Sequence, residues 1–251
     1  MYVETEIEAR AAVDAISTGH LPDPDLVARS AREAYDRYRM LDEGIVADYI
    51  PALARASRHL FGFCIVGVNG AVYEVGDAHH AFSIQSISKP FVFAVDSEAA
   101  TNLRNRGIAR LLEGYGRMYF DGLEATDVYT KQCSLRVSAK DLAVMAATLA
   151  DGGVNPLTGK RVISAGNCKR ALAILATAGL YERSGDWLYE IGLPGKSGVS
   201  GGIVTMAPGK GGLGTFAPPL DGAGNSVKGQ RVTKYLSERL GLNLFASKPE
   251  A

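Results

Sequence analysis

The sequence has little of what would direct a protein to a membrane or to nucleic acid. Its 251 residues carry 27 Lys and Arg against 27 Asp and Glu, so the net charge is zero and no basic surface for nucleic acid is expected. No apolar run approaches the length that crosses a bilayer, and the first ten residues are acidic where a secretory signal would be basic. We therefore expect a cytoplasmic protein.

Cysteine is also scarce. Cys64, Cys133 and Cys168 are isolated and odd in number, and they form no Cys-x-x-Cys pair and no zinc-ligand spacing with histidine. This excludes a disulfide framework and predicts three buried free thiols. Internal repeats, low-complexity tracts and linkers are absent as well.

Strand-like segments lie near both ends of the chain, and helical segments lie between them. The clearest local signal is Asn69-Gly70 between two strand-like runs, which predicts a β-hairpin whose two turn residues have positive φ. From Leu193 the chain is again glycine-rich and strand-like. The pattern predicts an α+β fold in which an antiparallel sheet is flanked by helices and carries an inserted helical lobe. The predicted single domain spans 1–251, with a sheet lobe at about 45–82 and 190–251 and a helical lobe at about 86–185.

Several helix boundaries have local signals. Ser138 with Asp141 is a variant of the capping box, and Ser164 is a second N-cap candidate. Helical periodicity extends over Asp25–Leu41, and a short helical piece is predicted between Pro51 and Arg58.

Ser86 and Lys89 form a Ser-x-x-Lys pair at a predicted strand-to-helix turn. Pro90 lacks an N–H group and belongs in the first turn of a helix, so Ser86 is expected at a helix N-terminus. Residues three apart on a helix are neighbours, which would bring the Lys89 amine to the Ser86 hydroxyl. Roughly one such pair is expected by chance in a chain of this length, so the motif needs context. The prediction is a serine nucleophile with a lysine base and an oxyanion site beside them.

A second motif, Lys196-Ser-Gly198, lies on a predicted strand. It is not part of a nucleotide-binding P-loop, because Glu190 stands where that motif needs glycine and a strand follows instead of a helix. A Lys-Ser-Gly strand downstream of Ser-x-x-Lys is typical of serine enzymes in which the strand lines the cleft opposite the nucleophile. The alternative is a glycine-rich strand that only packs tightly against a helix.

Taken together, the motifs resemble those of the serine-dependent glutaminases, which have the β-lactamase and penicillin-binding-protein type of fold. The resemblance covers nearly the whole chain. Its stretches are Ala47-Asp-Tyr-Ile-Pro-Ala-Leu-Ala, Phe82-Ser-Ile-Gln-Ser-Ile-Ser-Lys, Ser97-Glu98 leading to Asn105, Tyr129-Thr-Lys-Gln-Cys-Ser-Leu, Leu149-Ala-Asp-Gly-Gly-Val-Asn-Pro-Leu-Thr-Gly, Gly192-Leu-Pro-Gly-Lys-Ser-Gly-Val and Gly224-Asn-Ser-Val.

The resemblance implies hydrolysis of L-glutamine to L-glutamate and ammonia by a homotetramer, without a metal or organic cofactor. It assigns catalysis to Ser86, Lys89 and Tyr129, with the N–H groups of Ser86 and Val199 holding the oxyanion. The remaining expected substrate contacts, beside Ser86, Tyr129 and Val199, are Glu98, which suits the α-ammonium group, Asn105 and Tyr181.

The resemblance breaks at one point. Family members carry a substantial stretch between the nucleophile helix and the Ser-Glu segment, whereas here Val95 is followed directly by Asp96. On one continuous helix Glu98 would lie about 18 Å from Ser86 along the axis, too far for both to bind one glutamine. A segment is therefore expected to be missing between residues 95 and 96.

Three other interpretations remain open. The same serine, lysine and strand would serve another amidohydrolase of the β-lactamase type, although such enzymes usually work outside the cytoplasm. The missing stretch could instead leave a folded but inactive variant. A nucleotide-binding protein is disfavoured by the broken P-loop.

Overall fold

The computed structural model describes residues 19–89 and 103–246 of the chain, with backbone only for residues 103–105. Its helices are α1 (Pro24–Tyr38), α2 (Leu103–Gly114), α3 (Gly122–Cys133), α4 (Ala139–Ala150), α5 (Ala165–Ala178), α6 (Ser184–Ile191) and α7 (Val227–Arg239). Its strands are β1 (Gly62–Gly67), β2 (Val72–Gly76), β3 (Phe82–Ser83), β4 (Arg136–Val137), β5 (Gly195–Gly198), β6 (Gly202–Ala207) and β7 (Gly211–Phe216).

The main sheet is antiparallel and has the strand order β2-β1-β7-β6-β5. Strand β1 therefore pairs with β7, which joins Gly62 to Phe216 across most of the chain. The short strands β3 and β4 form a separate antiparallel pair that leads into and out of the helical region. The predicted α+β class with an antiparallel sheet built from distant parts of the chain is confirmed.

Helices cover both faces of the main sheet, so β1, β6 and β7 are buried along their whole length. On one face α1 and α7 pack together, and Val27 and Leu236 meet Phe63 and Leu213 of the sheet in one core cluster. On the other face α4 lies across β1, β6 and β7. Leu142, Leu149, Val204, Met206 and Phe216 are among the residues of the second core cluster, which forms on that face.

The contact between α4 and β7 is unusually close because both surfaces lack large side chains. Strand β7 presents Gly212 and Gly214 to the helix, and a Cβ atom at Gly214 would meet the backbone of Ala139 and Ala143. Ala139, Ala143, Ala146 and Ala147 form the facing side of α4 and are all fully buried. The glycines of this strand thus permit close approach of the helix backbone.

Most local predictions agree with the structure. Ser138 and Asp141 form a capping box at the start of α4, and Ser164 caps α5. The β1–β2 hairpin is present, but only Gly70 has positive φ (+83°), so the prediction of two left-handed turn residues was wrong. The segment between Pro51 and Arg58 forms turns instead of the predicted helix.

The three cysteines are free and buried, as predicted. Among the described residues, no group of three His, Cys, Asp or Glu side chains is placed to hold a metal ion. None of the helices in the described part of the chain is long and apolar enough to cross a membrane.

The close approach of α4 to β7 predicts that Gly214→Ala is destabilising. The added methyl group would overlap helix backbone that cannot move without breaking the core, at a cost of about 1–3 kcal/mol in the free energy of unfolding. Gly166→Ala in the first turn of α5 is the matched control, because nothing lies within 4 Å of its Cβ position. Urea unfolding should give neutral or slightly raised stability for the control; equal destabilisation of both variants would contradict the prediction.

Candidate active site

Ser86 lies in a short 3₁₀ turn, Gln85–Ser88, that follows β3 directly. The turn is anchored by the Ile84 N–H group, which donates to the carbonyl of Leu135 at 2.8 Å. Gln85, immediately before Ser86, has φ +52°, a left-handed conformation that non-glycine residues rarely adopt. Ser86 therefore follows a strand and a strained residue, as expected at a strand-to-helix turn. The helix predicted to continue from Pro90 lies outside the described residues.

A hydrogen-bond network ties this turn to helix α3. The Ser88 hydroxyl donates to the carbonyl of Gln85 at 2.7 Å and accepts from Nε2 of Gln132 at 2.9 Å. Nε2 of Gln85 in turn donates to the hydroxyl of Ser83 at 3.0 Å. Because Ser88 is fully buried, these bonds fix the strained backbone before Ser86.

Strand β5 lies directly against the same turn. A Cβ atom placed on Gly198 would lie 3.0 Å from the Ile84 carbonyl oxygen and 3.3 Å from Cβ of Gln85. Val199, the next residue, is therefore adjacent to the turn that carries Ser86. Its N–H group makes no backbone hydrogen bond within the described residues.

Two tyrosines lie beside Ser86. Tyr129 of α3 and Tyr181, in the 3₁₀ turn Tyr181–Arg183, are both close enough for the Ser86 side chain to lower the pKa of their phenols. Burial outweighs this effect and raises the pKa of Tyr129 to about 12. Burial likewise raises the pKa of Tyr181. Both phenols are thus protonated at neutral pH and can donate to an oxygen or nitrogen atom at Ser86. Like Gln85, Tyr181 has φ +52°, and these are the non-glycine residues of the described chain with positive φ.

Lys89 lies at the end of the turn and is exposed. Its Nζ is 5.5 Å from the centre of the Tyr129 ring, a cation–π distance. Its backbone N–H donates to the Ser86 carbonyl at 3.4 Å, but no hydrogen bond joins Lys89 Nζ to Ser86 Oγ among the described contacts. The predicted approach of the Lys89 amine to the Ser86 hydroxyl therefore stays a prediction, and Lys89 Nζ lies over the Tyr129 ring instead.

The structure also shows contacts at this site that sequence reasoning did not predict. Cys133 lies beside Tyr129 and Ser88, and burial raises the pKa of its thiol although these two residues and the charge of Lys89 act in the opposite direction. Lys196 of β5 contacts Tyr181 through its ammonium group. The spacing of Tyr129, Gln132 and Cys133 on one helix face was the signal that could have revealed the α3 contacts.

Two predicted substrate residues cannot be placed by their side chains. Glu98 lies outside the described residues, and Asn105 belongs to α2, where only its backbone is described. A cavity of about 1,090 Å³ opens beside Lys89 and Lys196, and mostly apolar side chains of α4 and α5 form its walls.

The groups around Ser86 fit acyl transfer. A hydroxyl group, two protonated phenols, a neighbouring amine and a backbone N–H group are the kinds of group that acyl transfer requires as nucleophile, proton donors, base and oxyanion contact.

The comparisons with known proteins agree on one family. The family model described as Glutaminase matches residues 44–96 and 94–245. Glutaminase 2 of Yersinia pestis is 44% identical over 320 residues, which covers 94% of this chain and 94% of that protein. The solved structure of the probable glutaminase ybaS is 34% identical, covers 90% of this chain and 100% of its own, and superposes with a TM-score of 0.84. The structure of Mglu in its glutamate form is 28% identical over 91% of this chain and 71% of its own, with a TM-score of 0.79.

The hydrogen-bond network predicts that Gln132→Ala is destabilising. Loss of its amide leaves the buried Ser88 hydroxyl without this donor, which should lower the free energy of unfolding by about 1 kcal/mol. Val128→Ala on the same helix is the control, because Val128 is 54% exposed and should change stability by less than about 0.5 kcal/mol. Denaturant unfolding checks both; a control as damaging as Gln132→Ala would show that the effect belongs to α3 in general.

Proposed function

Because the chain belongs to the glutaminase family and has its β-lactamase-like fold, we propose that it hydrolyses L-glutamine to L-glutamate and ammonia. The observation that carries the proposal is the position of Ser86 beside Tyr129 and Tyr181, in a turn against which strand β5 packs closely. The relative Mglu, solved in its glutamate form, supports the identity of the product.

In the proposed reaction Ser86 Oγ attacks the side-chain amide carbon of glutamine, and its proton passes to the amine of Lys89. The carbonyl electron pair moves to oxygen and returns as the carbon–nitrogen bond breaks. The leaving nitrogen takes a proton through Tyr129 and departs as ammonia. Water then attacks the acyl-enzyme ester, glutamate leaves, and Ser86 regains its proton.

The tetrahedral intermediate carries a negative oxygen, for which we propose the N–H groups of Ser86 and Val199 as donors. The support is the contact of β5 with the Ser86 turn and the N–H group of Val199, which makes no backbone hydrogen bond within the described residues. Tyr181 would hold the substrate against Ser86. Glu98 and Asn105 complete the proposed substrate contacts.

The proposal also includes a segment missing between Val95 and Asp96. The two portions matched by the family model meet at residues 94–96. The alignment with glutaminase 2 of Yersinia pestis runs over 320 positions although this chain has 251 residues, so the relative carries residues with no counterpart here. The same proposal includes the features expected from the sequence: a sheet lobe at about 45–82 and 190–251, a helical lobe at about 86–185, a homotetramer and a cytoplasmic location.

Ser86→Ala is expected to abolish ammonia release from L-glutamine, with a loss of at least about a thousandfold, because no other group forms the acyl bond. Ser134→Ala is the control, since this exposed hydroxyl donates to the Thr130 carbonyl of α3. L-asparagine should release no ammonia. Acylation of Ser86 by a β-lactam, without glutamine hydrolysis, would favour the other amidohydrolase class, and activity that survives in Ser86→Ala would exclude the serine mechanism.

Inserting the extra residues of the Yersinia pestis protein between Val95 and Asp96 is expected to raise ammonia release at least about tenfold, because the segment would restore the spacing between Ser86 and Glu98. An insertion of equal length made of Gly and Ser is the control. If the 251-residue chain is as active as the chain with the natural insertion, the segment is dispensable; if neither chain releases ammonia, the glutaminase proposal itself fails.

A further inference from the structure

Lys196 is a buried cation without an acidic partner among the described residues. The residue is 7% exposed, and its Nζ donates to the carbonyl of Ser197 at 2.7 Å. No carboxylate contributes to its electrostatic environment in the described part of the chain. A buried charge of this kind is costly unless another group stabilises it, so its other contacts need explanation.

The principal further contact of the Lys196 ammonium is an aromatic ring. Its Nζ lies 4.6 Å from the centre of the Tyr181 ring, well within cation–π range. Such contacts are strongest where water is excluded, as at this site. The lysine therefore acts on the position of the tyrosine ring.

The position of Tyr181 needs to be held. Its backbone is in the left-handed region, which is unfavourable for tyrosine, and its hydroxyl lies close enough to Ser86 for the serine to lower the pKa of the phenol. A small rotation of the ring would carry the hydroxyl away from the nucleophile. A charge on the ring face opposes that rotation without competing for the hydroxyl.

We propose that Lys196 is a positioning residue whose ammonium group holds the Tyr181 ring so that its hydroxyl stays beside Ser86. The inference rests on the proposed glutaminase reaction and adds a residue to it. Lys196 does not itself contact the reacting atoms.

The charge state of Lys196 gives the proposal a pH signature. Burial, followed by the charge of Lys89, lowers the pKa of Lys196 to about 8. The charged groups that line the same cavity as Lys196 are Lys89 of the Ser86 turn and Arg170 of α5. Tyr181 faces the Lys196 ammonium directly, and Val204 of β6 is the residue paired with Lys196 in the sheet. Acidic side chains are absent from the described residues that line this cavity. Below pH 8 the ammonium is charged and the ring contact is present; above pH 8 it is lost.

The experiment compares Lys196→Met and Lys196→Arg with the wild type for glutamine hydrolysis across pH 6–10. Lys196→Met should lower kcat roughly 10- to 30-fold at pH 7, with a smaller change in KM, and should remove the decline in kcat near pH 8. Lys196→Arg keeps its charge at all these pH values, so kcat should recover several-fold and the decline should move to higher pH.

Lys210→Met is the matched control. Lys210 lies in the turn between β6 and β7; it is also buried, and burial also lowers its pKa. Its Nζ donates to the carbonyl of Gly241. This variant should lose thermal stability while its kcat and pH profile stay unchanged. An effect shared by both methionine variants would mean that Lys196 is merely structural.

A readout independent of activity separates this inference from the proposed function. In protein labelled with ¹³C at the tyrosine ring, the Tyr181 signal, assigned with Tyr181→Phe, should shift with a midpoint near pH 8, and Lys196→Met should lack that step. A wild type that releases no ammonia but shows the step would overturn the glutaminase proposal and leave the ring contact established. A missing step, or an unchanged kcat in Lys196→Met, would overturn the positioning role.

Discussion

The close packing of backbone on backbone is the constraint on which the rest of this structure depends. Glycines of β7 let α4 lie directly on the sheet, and Gly198 of β5 lets the Ser86 turn do the same at the sheet edge. In both places a single added methyl group would meet main-chain atoms, which cannot move aside as a side chain can. The position of Ser86 relative to Val199 is thus set by the absence of side chains between them.

The candidate site combines groups from separate parts of the chain that no single element could hold together. Ser86 comes from a strained turn, Tyr129 from α3, Tyr181 from a second turn, and Val199 and Lys196 from the edge of the sheet. Burial keeps the two phenols protonated and lowers the pKa of the lysine. The same low-polarity environment therefore raises the pKa of both phenols and lowers the pKa of the lysine.

Features governed by neighbouring residues could be predicted from the sequence, and features governed by distant contacts could not. The capping box at Ser138 and the turn at Gly70 depend on a few adjacent residues, although the hairpin turn adopted another type than expected. The pairing of β1 with β7 joins residues that are 144 to 154 positions apart in the chain, which periodicity cannot reveal. Ser86 and Lys89 were identifiable from their spacing, whereas the contacts of Gln132, Cys133 and Lys196 depend on how α3 and β5 pack against the turn.

The left-handed backbone at Gln85 and Tyr181 has a consequence for how this protein can change. Each such residue costs about 1–3 kcal/mol of folding free energy that glycine would not cost, and both stand beside Ser86. Selection for heat resistance alone would replace these two residues early, and each gain would loosen the Ser86 environment. Thermal adaptation of this chain must therefore be found elsewhere, in the helices and loops distant from the Ser86 turn.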